Sequence, residues 1–161
     1  MIAVTALNSP NKVSNFVPVQ GEWVLQQLPI VASVAMEAGT ALGVEISSNT
    51  TTGNLKKMVA ANASGANFTG ILAEPLASTD ADYATAGKLK GVWVPLYPYA
   101  RAYFTVGAGT FTKVDVFKTV AFHSDSKSLA VDTAGLGAVI VGYESATRGI
   151  CEFSCPKTQT A

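Results

Sequence analysis

The chain has 161 residues and a mass of 16.7 kDa, a size that fits one globular domain or two very small ones. Eleven Lys and Arg balance eleven Asp and Glu, charged residues are 14% and hydrophobic residues 48% of the chain, and mean hydropathy is +0.30. These values exclude a disordered charged tail, and with Arg101 and Arg148 as the two arginines there is no basic footprint for nucleic acid or anionic lipid.

The apolar content is small and β-forming, with 24 Ala and 18 Val beside 16 Thr and 14 Gly, against 11 Leu and 6 Ile. Val and Thr are stiff at χ1 and suit a pleated surface, while the residues that build exposed helix faces are scarce. The composition predicts an all-β or β-dominated chain. So little charge leaves much of the surface weakly solvated, as in proteins that work inside an assembly.

Residues 1–20 read as an extended arm. Asn8-Ser9-Pro10-Asn11-Lys12 is a turn signal, and Val17-Pro18-Val19 forbids helix and disfavours an interior strand. Met1–Leu7 lacks a basic leader region, so no export is expected. The arm nevertheless carries Ile2, Val4, Leu7, Val13, Phe16 and Val17, enough apolar surface to dock on its own domain or on a neighbour. The apolar stretch Leu28–Met36 contains Pro29 and Ser33 and falls far short of the ~20 residues of a membrane helix, so no membrane partner is expected.

From residue 21 to 161 a single β-rich body is expected, because short apolar runs alternate with Gly, Ser, Thr and Asn turns at barrel or sandwich spacing. The runs are 23–28, 30–36, 42–46, 55–61, 68–73, 90–96, 100–106, 114–122, 129–132, 138–143 and 150–154. One short helix is predicted at Ser78–Ala86, with a capping start, acids in its first turn and Gly87 to stop it.

The segment Val92–Phe104 separates two faces with period two. Its even positions, Val94, Leu96, Pro98, Ala100, Ala102 and Phe104, suit a core. Its odd positions, Trp93, Pro95, Tyr97, Tyr99, Arg101 and Tyr103, make an aromatic face with the chemistry of a subunit interface, of a sugar-stacking platform or of a second core face. Pro95 and Pro98 cannot donate to a ladder and predict an edge strand or a break.

An internal repeat appears at an offset of 70. Ala38-Gly39-Thr40 and Val44-Glu45-Ile46 match Ala108-Gly109-Thr110 and Val114-Asp115-Val116, Lys57 falls on Lys127, and Glu74 falls on Glu144. Such a duplication implies a pseudo-symmetric barrel in place of two separate domains.

Chemistry-bearing patterns are sparse. His123-Ser124-Asp125 are three neighbours on one predicted loop and cannot form a triad by themselves. Asp80-Ala81-Asp82 opens like a calcium loop but has Thr85 at the glycine position and Gly91 where the bidentate Glu belongs. Cys151 and Cys155, if extended, have Cα atoms about 13 Å apart, beyond disulfide reach, and C-x3-C with a single His does not make a metal site. Glu74 and Glu144 are the one conceivable carboxylate pair, and each also reads as a solvated strand exit. No catalytic residue, metal or cofactor is expected.

The arm, the Ala/Gly/Thr/Val-rich body, the A-G-T-x-x-x-V-[DE]-[IV] turns at 38 and 108, and the strands Gly70–Glu74 and Val139–Glu144 resemble the small capsid-decoration, or cement, proteins of tailed bacteriophages. The resemblance is one of pattern and covers most of the chain. It implies a β-tulip or barrel-like body that trimerises on the outer surface of the virion and bridges capsomers, with the arm adding a strand to the major capsid protein. Under that resemblance Ile2, Val4, Leu7, Phe16 and Val17 would contact the capsid, while Trp23, Trp93, Tyr97, Tyr99, Arg101 and Tyr103 would lie between subunits. The alternative is a glycan-binding or adhesion module of a fibre or spike, stacking sugars on Trp93, Tyr97, Tyr99 and Tyr103. An enzyme built on Glu74 and Glu144 ranks third.

Overall fold

The computed structural model describes residues 15–47, 50–58, 68–135 and 137–153. Within them the chain is all-β, with strands β1 (Val17–Ile30), β2 (Ala41–Ser47), β3 (Thr50–Lys57), β4 (Phe68–Leu72), β5 (Lys88–Ala108), β6 (Thr119–Phe122), β7 (Leu129–Ala134), β8 (Ala138–Ser145) and β9 (Arg148–Phe153). A single 3-10 turn, Lys113–Asp115, interrupts the run before β6. Among the described residues no helix is long and apolar enough to cross a membrane.

Strand pairing follows one rule twice. In the first half β1 pairs with β3 in parallel, β3 with β2, β2 with β4, β4 with β5, and β5 returns to β1, all antiparallel after the first step. That circuit is a closed five-stranded barrel. Moving every label four strands on gives the second half, where β5 pairs with β7 in parallel, then β7 with β6, β6 with β8, β8 with β9, and β9 with β5. The two circuits share β5. The duplication read from the sequence is therefore present in the topology.

The gapless offset of 70 holds only locally. It lays β4 on the first part of β8, but Leu42–Ile46 of β2 falls on residues 112–116, which include the 3-10 turn. The parallel bridge Ile30–Leu55 of the first circuit corresponds to Val106–Leu129 of the second, because the connecting loops differ in length.

Each barrel needs a dry centre, and the first has one residue from each of its five strands: Ile30, Leu42, Leu55, Leu72 and Val92. Fully burying a side chain of that size contributes roughly 1.5–3 kcal/mol. The buried residues of the second circuit, among them Phe104, Val120, Phe122, Leu129, Ile140 and Cys151, join a second cluster with residues from the back of the first barrel. Aromatic rings form the seam between the halves. Phe153 stacks on Phe68 with centroids 4.0 Å apart, and Phe16 meets Phe122 and Phe153 edge-on at 5.8 and 5.3 Å. Such pairs add about 0.5–1.5 kcal/mol each beyond burial.

Five expectations change. The helix at Ser78–Ala86 is a chain of tight turns, with Asp80 N–H donating to Ala77, Tyr83 to Asp80 and Thr85 to Asp82. A segment that short does not hold a helix alone, and the buried Lys88 ammonium satisfies loop carbonyls instead, donating to Val31 at 3.0 Å, Tyr83 at 2.9 Å and Thr85 at 3.1 Å. The run 30–36 is loop beyond Ile30, with Ser33 at φ 55° and a lone bridge between Met36 and Leu76. The run 114–122 is strand only from Thr119, because the Asp115 carboxylate ties the chain into the 3-10 turn.

The fourth change concerns the arm: its boundary moves inward, since Val17–Gln20 already pairs with β5. The fifth concerns β5, which is one continuous strand of 21 residues that neither ends nor breaks at Pro95 and Pro98. Both prolines lie between the last β4 partner, Trp93, and the first β9 partner, Arg101, where one side of the strand has no ladder to lose.

Candidate functional site

The pairing of β1 with β5 jumps from Glu22–Leu96 to Gln20–Arg101, so four residues, Tyr97–Ala100, face Gly21 alone. Gly21 takes φ 83°, a conformation open to glycine. A second register shift, between Pro18 and Gln20, restores the parity, so Glu22–Leu96 on one side of the bulge and Pro18–Ala102 on the other are both pairs of even residues. Before the bulge both faces are covered, with Val92 in the centre of the first barrel and Trp93 and Pro95 buried on the opposite face; after it Ala100, Ala102 and Phe104 are buried while Arg101 and Tyr103 face outward. The odd face expected as one surface is thus two.

Trp93 lies inside the chain's own core, and so does Trp23, at 1% exposure with its indole N–H donating to the Gln20 carbonyl. These two are corrected from interface to core. The side chains of Tyr97 and Tyr99 lie outside the described atoms, although their backbone belongs to β5.

Arg101 and Tyr103 do belong to an outward surface. Arg101 Nε donates to Glu152 Oε1 at 2.7 Å and its Nη1 to Gln20 Oε1 at 3.3 Å. The Arg148 guanidinium lies 3.9 Å over the Tyr103 ring and pairs with Glu144 at 2.9 Å. Both arginines of the chain therefore meet on the β5–β9 face, each neutralised by a carboxylate. Val17 and Ile150 lie across from Tyr103 on β1 and β9 and are half-buried on the same surface. Arg148 and Glu144 were not foreseen here, and their four-residue spacing across the β8–β9 hairpin was the available signal.

Phe16 is the larger correction. It was expected to touch a partner, yet at 1% exposure it fills the seam. Its N–H donates to the Gly39 carbonyl at 3.2 Å, and Asn15 Nδ2 donates to the Ala38 carbonyl at 2.6 Å. Gly39 sits at φ 84°, where a Cβ would lie 2.9 Å from the Phe16 carbonyl oxygen and closer still to Asn15. The Glu37 carboxylate beside it is held below the usual range by its hydrogen bond from Lys127, then by Asn15. Val17 opens β1, and among the described residues no strand pairs with the other edge of Val17–Gln20. Ile2, Val4 and Leu7 lie outside the described residues.

The glutamates of the enzymatic alternative are held apart by their contacts. Glu74 accepts from Gln27 at 3.3 Å and packs against Gly91, Glu144 pairs with Arg148, and neither lines the cleft beside Met36 and Leu76 or the one beside Val120 and Val131. His123 and Asp125 form a turn in which the carboxylate, against the pull of its partial burial, is held ionised by the Lys127 amide and the Ser128 hydroxyl. Cys151 is fully buried with a free thiol, and burial pushes its ionisation far up. Cys155 lies outside the described residues. Among the described residues no three His, Cys, Asp or Glu side chains are grouped to hold a metal ion.

One feature of the surface had no counterpart in the expectations: Val114 and Phe117, on the loop before β6, are 79% and 80% exposed. The Thr112-x-x-Asp115 capping pattern was its sequence signal.

No protein-family model, curated protein or solved structure matches the chain.

Proposed function

We propose that this chain is a structural protein of a tailed-phage virion that decorates the outer capsid surface as a homotrimer. The segment before Asn15 docks on the major capsid protein, and the body bridges neighbouring capsomers. The observation that carries the reading is the burial of Phe16 in the seam between the two halves. It anchors the start of the described chain next to a strand edge at Val17–Gln20, and Ile2, Val4 and Leu7 precede that anchor in the sequence. An apolar segment tethered to a rigid anchor suits strand addition, where backbone hydrogen bonds supply affinity, and three linked arms multiply a weak contact through effective concentration.

The capsid-contact role belongs to Ile2, Val4 and Leu7, with Phe16 as the anchor and Val17 beside it. Arg101 and Tyr103 remain the surface side chains for contact between subunits. The glycan reading loses one platform, since a sugar on the described face of Tyr103 would have to displace Arg148.

The test is a truncation that removes residues 1–14 and keeps Asn15, Phe16 and Val17. The truncated chain is expected to fold with the melting temperature of the full chain and to stop co-sedimenting with expanded capsids that lack the protein. Undiminished pelleting would refute the arm's role.

A further inference from the structure

The cleft beside Met36 and Leu76 has a volume of about 360 Å3, within the ~300–1,000 Å3 that small-ligand pockets occupy. Both halves of the chain build it. Loop 31–40, the end of β3 and the turn at Pro75–Ser78 come from the first half, and the β6–β7 turn brings Lys127 from the second. Its floor is apolar and fixed: Met36 and Leu76 are 3% and 1% exposed and exchange both backbone hydrogen bonds, at 2.9 and 2.8 Å.

Charge singles this cleft out. Two lysines, Lys57 and Lys127, line it with a single carboxylate, Glu37. Lys127 Nζ takes that carboxylate at 3.0 Å. This bond, more than the one from Asn15 at 3.5 Å, holds the Glu37 carboxyl below the usual range, and Lys57 acts on it only through space. Among the described residues the Lys57 ammonium has no ion pair of its own, although the residue is half-buried. Asp80, the next acid along the rim, is turned onto the Ala77 N–H at 2.9 Å and does not line the cleft. One positive charge is therefore left without a counter-ion beside an apolar floor, where screening is weaker than in open water.

The wall from the second half is held in place. The Asp125 carboxylate accepts from the Lys127 N–H at 2.8 Å and the Ser128 N–H at 3.1 Å, and the Ser126 carbonyl accepts from the Ala41 N–H at 2.8 Å. The turn that carries Lys127 is thus clamped to the start of β2. The backbone donors of the rim are spent as well: Ala77 on Asp80, Thr40 on the Glu37 carbonyl, Met36 and Leu76 on each other. A peptide strand finds no ladder to join there, which favours a small molecule held by side chains.

We infer that this cleft binds a small amphipathic anion, a carboxylate on a compact apolar body, with Lys57 as its counter-ion, Lys127 beside it, and Met36 and Leu76 under the body. The inference goes beyond the decoration role and does not rest on it.

Sodium hexanoate is the probe, titrated into the full-length protein and followed by NMR. Saturable shifts are expected at the Met36 methyl and at Ala77, with a melting temperature that rises as the salt of the acid replaces an equal concentration of sodium chloride. Lys57→Gln removes the uncompensated charge and should weaken binding about tenfold. Ala77→Glu sets a carboxylate on the exposed rim and should abolish saturation. Both variants should keep the wild-type melting temperature when no ligand is present. Hexan-1-ol, the same body without the charge, should bind about tenfold more weakly than hexanoate. Shifts that fail to saturate, or that centre on the exposed Phe117 in place of Met36, would overturn the site. So would Lys57→Gln or Ala77→Glu chains that bind hexanoate like the wild type, or hexan-1-ol that binds as tightly as the acid.

Discussion

The two halves share one set of pairings and differ in what fills and caps them. The first barrel is closed on itself, with an aliphatic residue from each strand at its centre and a long turn-rich segment, residues 73–87, pinned by Lys88. The second has a two-residue turn, Ala146-Thr147, in the corresponding place, and its core runs on without interruption into the aromatic seam. The first half can therefore lose a centre residue without disturbing its neighbour's packing, whereas the second half and the seam are one packing unit. The repeated topology is a frame, and the specialised features lie in the loops that the repeat leaves free to differ: the Phe16 anchor against Gly39 in one half, the exposed Val114 and Phe117 in the other.

That contrast can be broken most severely at the seam. Phe122→Ala removes a ring that contacts Phe16, Phe68 and Phe153, and should destabilise the whole chain by about 3–5 kcal/mol in urea unfolding. Leu55→Ala, in the first barrel, should cost about 2–5 kcal/mol, with its losses in hydrogen-exchange protection concentrated in β1–β4. Uniform loss of protection from both variants would mean the halves are not distinct packing units.

Gly39→Ala comes next. It strains a backbone at φ 84° and drives a methyl into Asn15 and Phe16, so a loss of at least ~1 kcal/mol is expected, with Phe16 displaced and its ring signals altered in NMR spectra. Lys88→Met removes a donor from three loop carbonyls, of which Tyr83 keeps the Ser33 N–H, and should lower stability by about 1–3 kcal/mol, read as faster amide exchange in residues 77–87.

The smallest effect is pH-dependent and local. The hydrogen bond from Lys118, then those from the Thr112 N–H and hydroxyl, hold the Asp115 carboxyl down to about 2. A lowered folded-state value stabilises the fold above the unfolded value near 4, and the contribution disappears as pH falls from there towards about 2. Spectral changes at Phe117 in that window are expected in the wild type and not in Asp115→Asn.

How much of this the residues announce varies by element. The all-β class followed from Val, Thr and Gly with few helix formers, and most strands lie where alternating apolar runs placed them. The outward face of β5 was legible only after the bulge, because a period-two reading treats the odd positions as one surface, whereas they pack in the core before Tyr97–Ala100 and face outward after it. Trp93 was misplaced for that reason, and Trp23, on β1, because an indole carries the same chemistry in a core as in an interface. Phe16 sat in a polar, proline-marked stretch, and only the distant Gly39 shows that it turns inward. The repeat was visible where β4 and β8 align and obscured elsewhere by unequal loops. The exposed Val114 and Phe117 were hidden inside an apolar run that reads as strand until Asp115 is seen to bond back to Thr112.

The central claim is that the residues ahead of the Phe16 anchor find their pairing on another protein. Amide hydrogen exchange of Ile2–Leu7, followed in the free full-length protein and in the protein bound to capsids, addresses it directly. Slowed exchange in that stretch on the capsid, with Phe16 and β1 unchanged, is the predicted result. Bound protein whose Ile2–Leu7 amides exchange as they do in the free chain would contradict the account.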